Sequence, residues 1–98
     1  MGGHVLAAEL RLHLPAARSL KAKRAVVRPL LDRLRARLPV SAAETGEQDR
    51  WQIAVLTVAV AASSVAQAES VMDEVERITW AQPDLEVVSL RRTWLEAD

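Results

Sequence analysis

Three observations predict an α+β sandwich, with a four-stranded antiparallel sheet and two helices on one face. Hydrophobic periodicity alternates between about 2 and about 3.6 residues in the order strand, helix, strand, strand, helix, strand. Turn residues stand where the period changes: Pro15, Pro39, the run Thr45 to Asp49, and Gln82-Pro83-Asp84. The chain has 98 residues and is 50% hydrophobic, which suits one compact domain over 1–98 with a single small core.

Each element follows from its residues. Val5 to Leu14 alternates, with Leu6, Ala8, Leu10, Leu12 and Leu14 on one face and Glu9, Arg11 and His13 on the other. Leu20 to Leu38 takes the helical period, Leu20, Val27, Leu31, Leu34 and Leu38 forming an apolar stripe, and Ser19 is placed to cap its first turn. Pro29 removes one backbone donor inside this helix, so a kink is expected near Arg28; the stripe stays in phase across it, which keeps one helix rather than two. Val40 to Glu44 is a short strand, Thr45 to Asp49 a turn, and Trp51 to Ala61 the longest strand. Ser63-Ser64 opens the second helix, Ser64 and Gln67 having capping-box spacing, and Ala68, Val71, Met72, Val75 and Ile78 form its buried stripe. Leu85 to about Trp94 is the last strand.

This order in so short a chain is that of the split-βαβ, ferredoxin-like sandwich. Right-handed crossovers put both helices on one face, with strands one and three central and strands two and four at the edges. The third strand is apolar at both phases, Ile53 and Val55 against Leu56, Val58 and Val60. Its second side therefore forms an exposed apolar patch, which predicts a homo-oligomer through the open sheet face or an adjoining edge, unless a loop or the C-terminal tail covers it.

Leu14-Pro15 followed by Arg18-Ser19-Leu20-Lys21-Ala22-Lys23-Arg24 resembles the "LPGxxSLKEKR" signature of the YlxP-like bacterial proteins. Ala43-Glu44 and Gln48-Asp49-Arg50-Trp51-Gln52 resemble that family's "AE…QDLWQ" segment, in order and at matching spacing. Ala17, Ala22, Arg50 and Ile53 depart from the residues frequent there. The resemblance implies a ferredoxin-like fold and a gene that often lies among translation and transcription factors. It implies no particular activity, and a fold does not dictate one.

Charge is where the chain speaks about partners. The sequence is neutral overall, yet residues 18–37 hold eight of its thirteen basic residues and one acid, Asp32. From Glu44 to Asp98 there are eleven acids and four arginines. On a helix turning about 100° per residue, Lys21, Arg24, Arg28 and Arg35 fall on one flank, while Arg33 and Arg37 fall on the other. Lys23 lies near the core face, where its stem must snorkel. Arginine forks match phosphate oxygens, so Arg18, Lys21, Lys23, Arg24, Arg28 and Arg35 are the candidate nucleic-acid-binding residues. The competing reading is a solvated helix whose cations pair with Glu69, Asp73, Glu74 and Glu76 of the second helix.

Gln48, Asp49, Trp51 and Gln52 form a second candidate, an interaction site. Trp51 serves there as a stacking platform or protein anchor, or, the reading favoured on the sequence, closes the end of the sheet or an oligomer contact. Base stacking of the kind RNA-recognition domains use needs aromatics on the first and third strands; residues 5–14 and 53–60 have none, and the chain has no Phe or Tyr. No catalytic residue and no metal ligand is assigned. Glu44, Glu47 and Asp49 read as solvated turn acids, and His4 and His13 lack a third ligand. Cysteine is absent, and the only glycines are Gly2, Gly3 and Gly46, so thiolate sites and a phosphate-cradling glycine loop are excluded. No cofactor and no small-molecule substrate is expected.

The N-terminus lacks the charged and apolar regions of a signal peptide, and Ile53 to Ala62 is half the roughly 20 residues of a membrane helix. A cytoplasmic protein without membrane attachment is expected. Two functions remain open. One is a non-catalytic module docking on structured RNA or the ribosome through the first helix. The other is an oligomeric protein-interaction or small-ligand sensor module using the Trp51 region and the sheet face.

Overall fold

The computed structural model describes residues 2–95. Its elements are β1 (His4–His13), α1 (Leu20–Arg37), β2 (Ser41–Gly46), β3 (Ile53–Ala62), α2 (Val65–Trp80) and β4 (Glu86–Leu95). All neighbouring strands are antiparallel, in the order β2-β3-β1-β4, so the long β1 and β3 are central. The ferredoxin-like sandwich expected from the periodicity is the fold of this chain.

Alternation along the two central strands builds the core. Leu6, Ala8, Leu10 and Leu12 of β1, with Ala54, Leu56, Val58 and Val60 of β3, form one buried face. Val27, Leu30, Leu31 and Leu34 of α1 and Ala68, Met72, Val75 and Ile78 of α2 cover it. Leu20, Leu38 and Val71, expected in the stripes, are only half-buried, whereas Leu30 and Thr79 are fully inside. Thr79 is accommodated because its hydroxyl donates to the Val75 carbonyl at 2.8 Å.

Both helices begin at the expected serines. Ser19 Oγ accepts from Ala22 N at 3.0 Å, and Ser64 Oγ from Gln67 N at 3.1 Å. The Gln67 side chain does not complete a capping box with Ser64; its Oε1 accepts from the Ser63 hydroxyl instead. α1 runs unbroken through Pro29. The proline is exposed and leaves the Ala25 carbonyl without its helical donor, a cost set against the reduced freedom of the unfolded chain. Pro29→Ala is therefore expected to raise the unfolding free energy by about 1–2 kcal/mol, read from the urea midpoint. An unchanged or lowered midpoint would mean that water serves that carbonyl fully.

The second hairpin differs from expectation. β2 extends to Gly46 and β3 starts only at Ile53, so Trp51 and Gln52 belong to the connection rather than to the strand. The register shifts between Glu44 and Gly46, where the backbone passes so close to β3 that a Cβ on Gly46 would lie 3.3 Å from that of Val55. Glu47 follows in the left-handed region with φ of 56°.

The open face of the sheet is divided, apolar at the end where Val5, Ala7, Ala59, Ala61 and Leu95 lie side by side and polar at the other. Val55 is 7% exposed, opposite Gly46, and Ile53 and Ala59 are half-buried. Around them lie the ion pairs Arg11–Glu47 at 3.4 Å and Arg91–Glu9 at 3.3 Å, and the hydroxyl pair of Thr45 and Thr57 at 2.6 Å. The homo-oligomer expectation thus rests on the apolar end of this face alone. The C-terminal tail, the alternative cover for this face, falls at 96–98, outside the described residues.

Candidate nucleic-acid interface

The fold turns one flank of the first half of α1 to solvent. Because Val27, Leu30, Leu31 and Leu34 face the sheet, Lys21, Arg24 and Arg28 point away from it, and Arg18 is exposed just before the Ser19 cap. Lys21, Arg24, Ala25, Arg28 and Pro29 line a shallow groove on that flank. The first turn contains no acid, so the positive end of the helix dipole is uncompensated there.

Three of the four α2 acids are engaged elsewhere, and the fourth, Glu69, is exposed and makes no ion pair among the described residues. Arg92, on the helix-facing side of β4, takes Asp73 at 2.7 Å and Glu76 at 2.8 Å. Burial pulls the Arg92 guanidinium pKa down, but its hydrogen bonds to Asp73 and Glu76 outweigh that and leave it raised. Glu74 accepts from Arg77 at 2.6 Å, a hydrogen bond that holds its carboxyl below the usual carboxylate value. Among the described residues, no ion pair joins α2 to α1.

Two of the expected phosphate ligands are engaged by the protein's own carbonyls, Lys23 in the interior and Arg35 at the surface. Lys23 is 1% exposed. Its Nζ donates to the carbonyls of Glu47 and Arg50, both at 2.8 Å, and lies 2.8 Å from Glu44 Oε2. Lys23 cannot contact RNA in this fold, because its stem occupies a stripe position of α1 and its ammonium is consumed by the hairpin. Arg35 stays exposed but is bound along the surface: Nε donates to the Ala42 carbonyl at 3.1 Å, Nη2 to the same oxygen, and Nη1 reaches Asp32 at 3.4 Å. It fastens α1 to the edge strand β2 and leaves the ridge to Arg18, Lys21, Arg24 and Arg28.

The same contacts unite the two candidate regions. Lys23 holds the connection between β2 and β3 to α1, and Gln52 Nε2 donates to the carbonyls of Pro15 and Ala17 at 3.3 Å each. Leu14 N donates to Gln52 O at 2.9 Å. Gln48, Asp49, Trp51 and Gln52 therefore sit at the end of the sandwich where α1 begins. Gln52 is a strap, and Gln48 folds back to the Glu44 carbonyl at 3.0 Å. Trp51 is 52% exposed and does not close the core. With His13, Asp49, Arg50, Gln52 and Ile53 it lines an open groove. Sequence reasoning missed the roles of Lys23 and Arg35 as fasteners. The signal available was that Lys23 is in phase with Val27, Leu30 and Leu34, four, seven and eleven residues on.

Among the described residues no group of three or more His, Cys, Asp or Glu could hold a metal ion, and no helix is long and apolar enough to cross a membrane.

Comparison with known proteins agrees with this architecture. The chain is similar to two solved structures, the de novo designed protein Foldit4 (TM-score 0.58, covering 93% of this chain and 96% of that one) and the de novo designed protein LFR1 1 with ferredoxin fold (TM-score 0.51, covering 95% and 86%). Each is 16% identical to it, so these likenesses show the fold alone. It is also 36% identical over 78 residues to "Uncharacterized protein YlxP" of Bacillus subtilis (strain 168), covering 80% of this chain and 85% of that protein. The family described as "Protein of unknown function (DUF503)" matches residues 5–92. The likeness carried by Leu14 to Arg24 and Gln48 to Gln52 is thus one of descent: the chain belongs to the DUF503 family of YlxP-like proteins.

Proposed function

We propose that this protein is a non-catalytic binding module that docks on the phosphodiester backbone of structured RNA, the ribosome included, through the first half of α1. The observation that carries this reading is an exposed cationic ridge, Arg18, Lys21, Arg24 and Arg28, while three of the four α2 acids that would neutralise it, Asp73, Glu74 and Glu76, are engaged by Arg92 and Arg77. Phosphates spaced along one strand suit a row of forked cations on a rigid helix, and displacing their counterions supplies the binding free energy. Contacts of this kind position a protein on a duplex by shape without reading its sequence.

Co-sedimentation with ribosomal particles tests the reading. The protein is expected to pellet at about 50 mM salt and to be largely released by about 200 mM. Failure to pellet at the lower salt would remove the ribosome as a partner, and failure to bind an RNA duplex under the same conditions would remove RNA altogether.

A further inference from the structure

Resting on the RNA-docking reading, we propose that the groove beside Trp51 takes one unpaired guanine of the docked RNA, its ring stacked on the indole and its Watson–Crick edge on the Asp49 carboxylate. Three observations meet in that groove.

The first is a large aromatic surface that the fold does not use. Trp51 is excluded from β3, is half exposed, and stands on a connection fixed at both ends by Lys23 and Gln52. The backbone that carries the ring is thus fixed, which lowers the ordering cost of stacking a base on it. The second is an acid without a partner. Glu44 faces Lys23, and Glu47 is shared by Arg11 at 3.4 Å and Arg50 at 3.5 Å. Asp49, in the same connection, makes no hydrogen bond or ion pair among the described residues, and it lines the groove with Trp51. A carboxylate is a poor neighbour for phosphate but a good one for a guanine edge. That edge presents two parallel N–H donors, and a carboxylate accepts two at once. Adenine presents one donor and one acceptor there, and uracil and cytosine offer no matching pair of donors. The third is position. The groove lies at the end of the sandwich where α1 starts, and Arg50 on its rim is largely exposed. Lys23 of α1 bonds the Glu47 and Arg50 carbonyls of the connection that carries Trp51, so the groove adjoins the start of the helix that bears the ridge.

The groove measures about 380 Å³, within the usual span of small-ligand sites at about 300–1,000 Å³. Because the Watson–Crick edge is the part recognised, the base must already be unpaired. A bulge or loop guanine meets that condition at the least unstacking cost.

The test uses fluorescently labelled RNA hairpins identical except for a single bulged guanine, a single bulged adenine, or no bulge, with dissociation constants from anisotropy. Wild-type protein is expected to bind the guanine-bulged hairpin about tenfold more tightly than the fully paired one. Trp51→Ala is expected to bring the bulged hairpin down to the paired value while leaving paired binding unchanged, and Trp51→Phe to retain part of the gain. Asp49→Asn is expected to abolish the preference for guanine over adenine. Equal binding of all three hairpins by the wild type would overturn the inference and leave phosphate docking standing. So would a bulge preference that survives in both Trp51→Ala and Asp49→Asn. Binding to none of the hairpins would overturn the docking reading and this inference with it.

Discussion

Lys23→Met is expected to lower the unfolding free energy by about 3 kcal/mol, a large part of the roughly 5–15 kcal/mol that holds a domain of this size folded. Methionine keeps the unbranched stem and fills the same space, so the loss isolates the ammonium group. What it strands is specific. The Glu47 and Arg50 carbonyls lose their 2.8 Å donors, each at a cost of about 1 kcal/mol or more. The Glu44 carboxylate loses the ammonium 2.8 Å from its buried Oε2, which has no other partner among the described residues. Denaturant unfolding checks this, with a melting temperature lower by about 10–20 °C as the thermal counterpart. Lys21→Met, two residues earlier and exposed, is expected to stay within about 0.5 kcal/mol of the wild type. Adding Glu44→Leu to Lys23→Met should recover part of the loss, because an apolar pair replaces an orphaned charge. A Lys23→Met cost as small as the Lys21→Met cost would show that water reaches the hairpin carbonyls, and the connection carrying Trp51 would then not be rigid.

Lys23 also marks where sequence reasoning stops. The order of elements was legible because each strand and helix keeps one period long enough to commit, from Leu6 through Leu14 on β1 and from Val27 through Leu34 on α1. Burial follows period, and period is written in the sequence. The role of a lysine is not, since a cation on the stripe reads equally as a snorkelling surface group and as a buried fastener. The partners that decide between them, the carbonyls of Glu47 and Arg50, are 24 and 27 residues away. Arg35 escaped for the same reason, its acceptor being a backbone oxygen with no side-chain signature. Trp51 was placed on β3 because the apolar run of that strand begins beside it; the bulge at Gly46 and the left-handed Glu47 end the ladder earlier. One end of the open face is more polar than β3 alone suggests, because Arg11 and Glu9 from β1 and Arg91 from β4 lie there.

The triple reversal Lys21→Glu, Arg24→Glu and Arg28→Glu is expected to weaken binding to an RNA duplex by at least about 100-fold at low salt, the largest functional effect these residues can show. In the wild type, four neutralised phosphates predict that log K falls with log salt at a slope of about −3 to −4; removing three should leave a slope of about −1. Slope matters more than affinity here, because it counts contacts rather than weighing them. The fold should survive the change. All three side chains are exposed, and Lys21→Glu, in the first turn, places an acid at the positive end of the helix dipole. Net charge alone also affects any polyanion, so the matching control is Arg33→Glu with Arg37→Glu. These side chains are exposed on the opposite flank of the same helix, and their reversal should leave the slope within about one unit of the wild type if the ridge is the contact surface. A control as damaging per charge as the triple variant would mean that RNA senses only the overall field of α1. A triple variant that binds as the wild type does would end the case for docking through this helix. The groove at Trp51 would then have to be judged as a site for a partner of another kind.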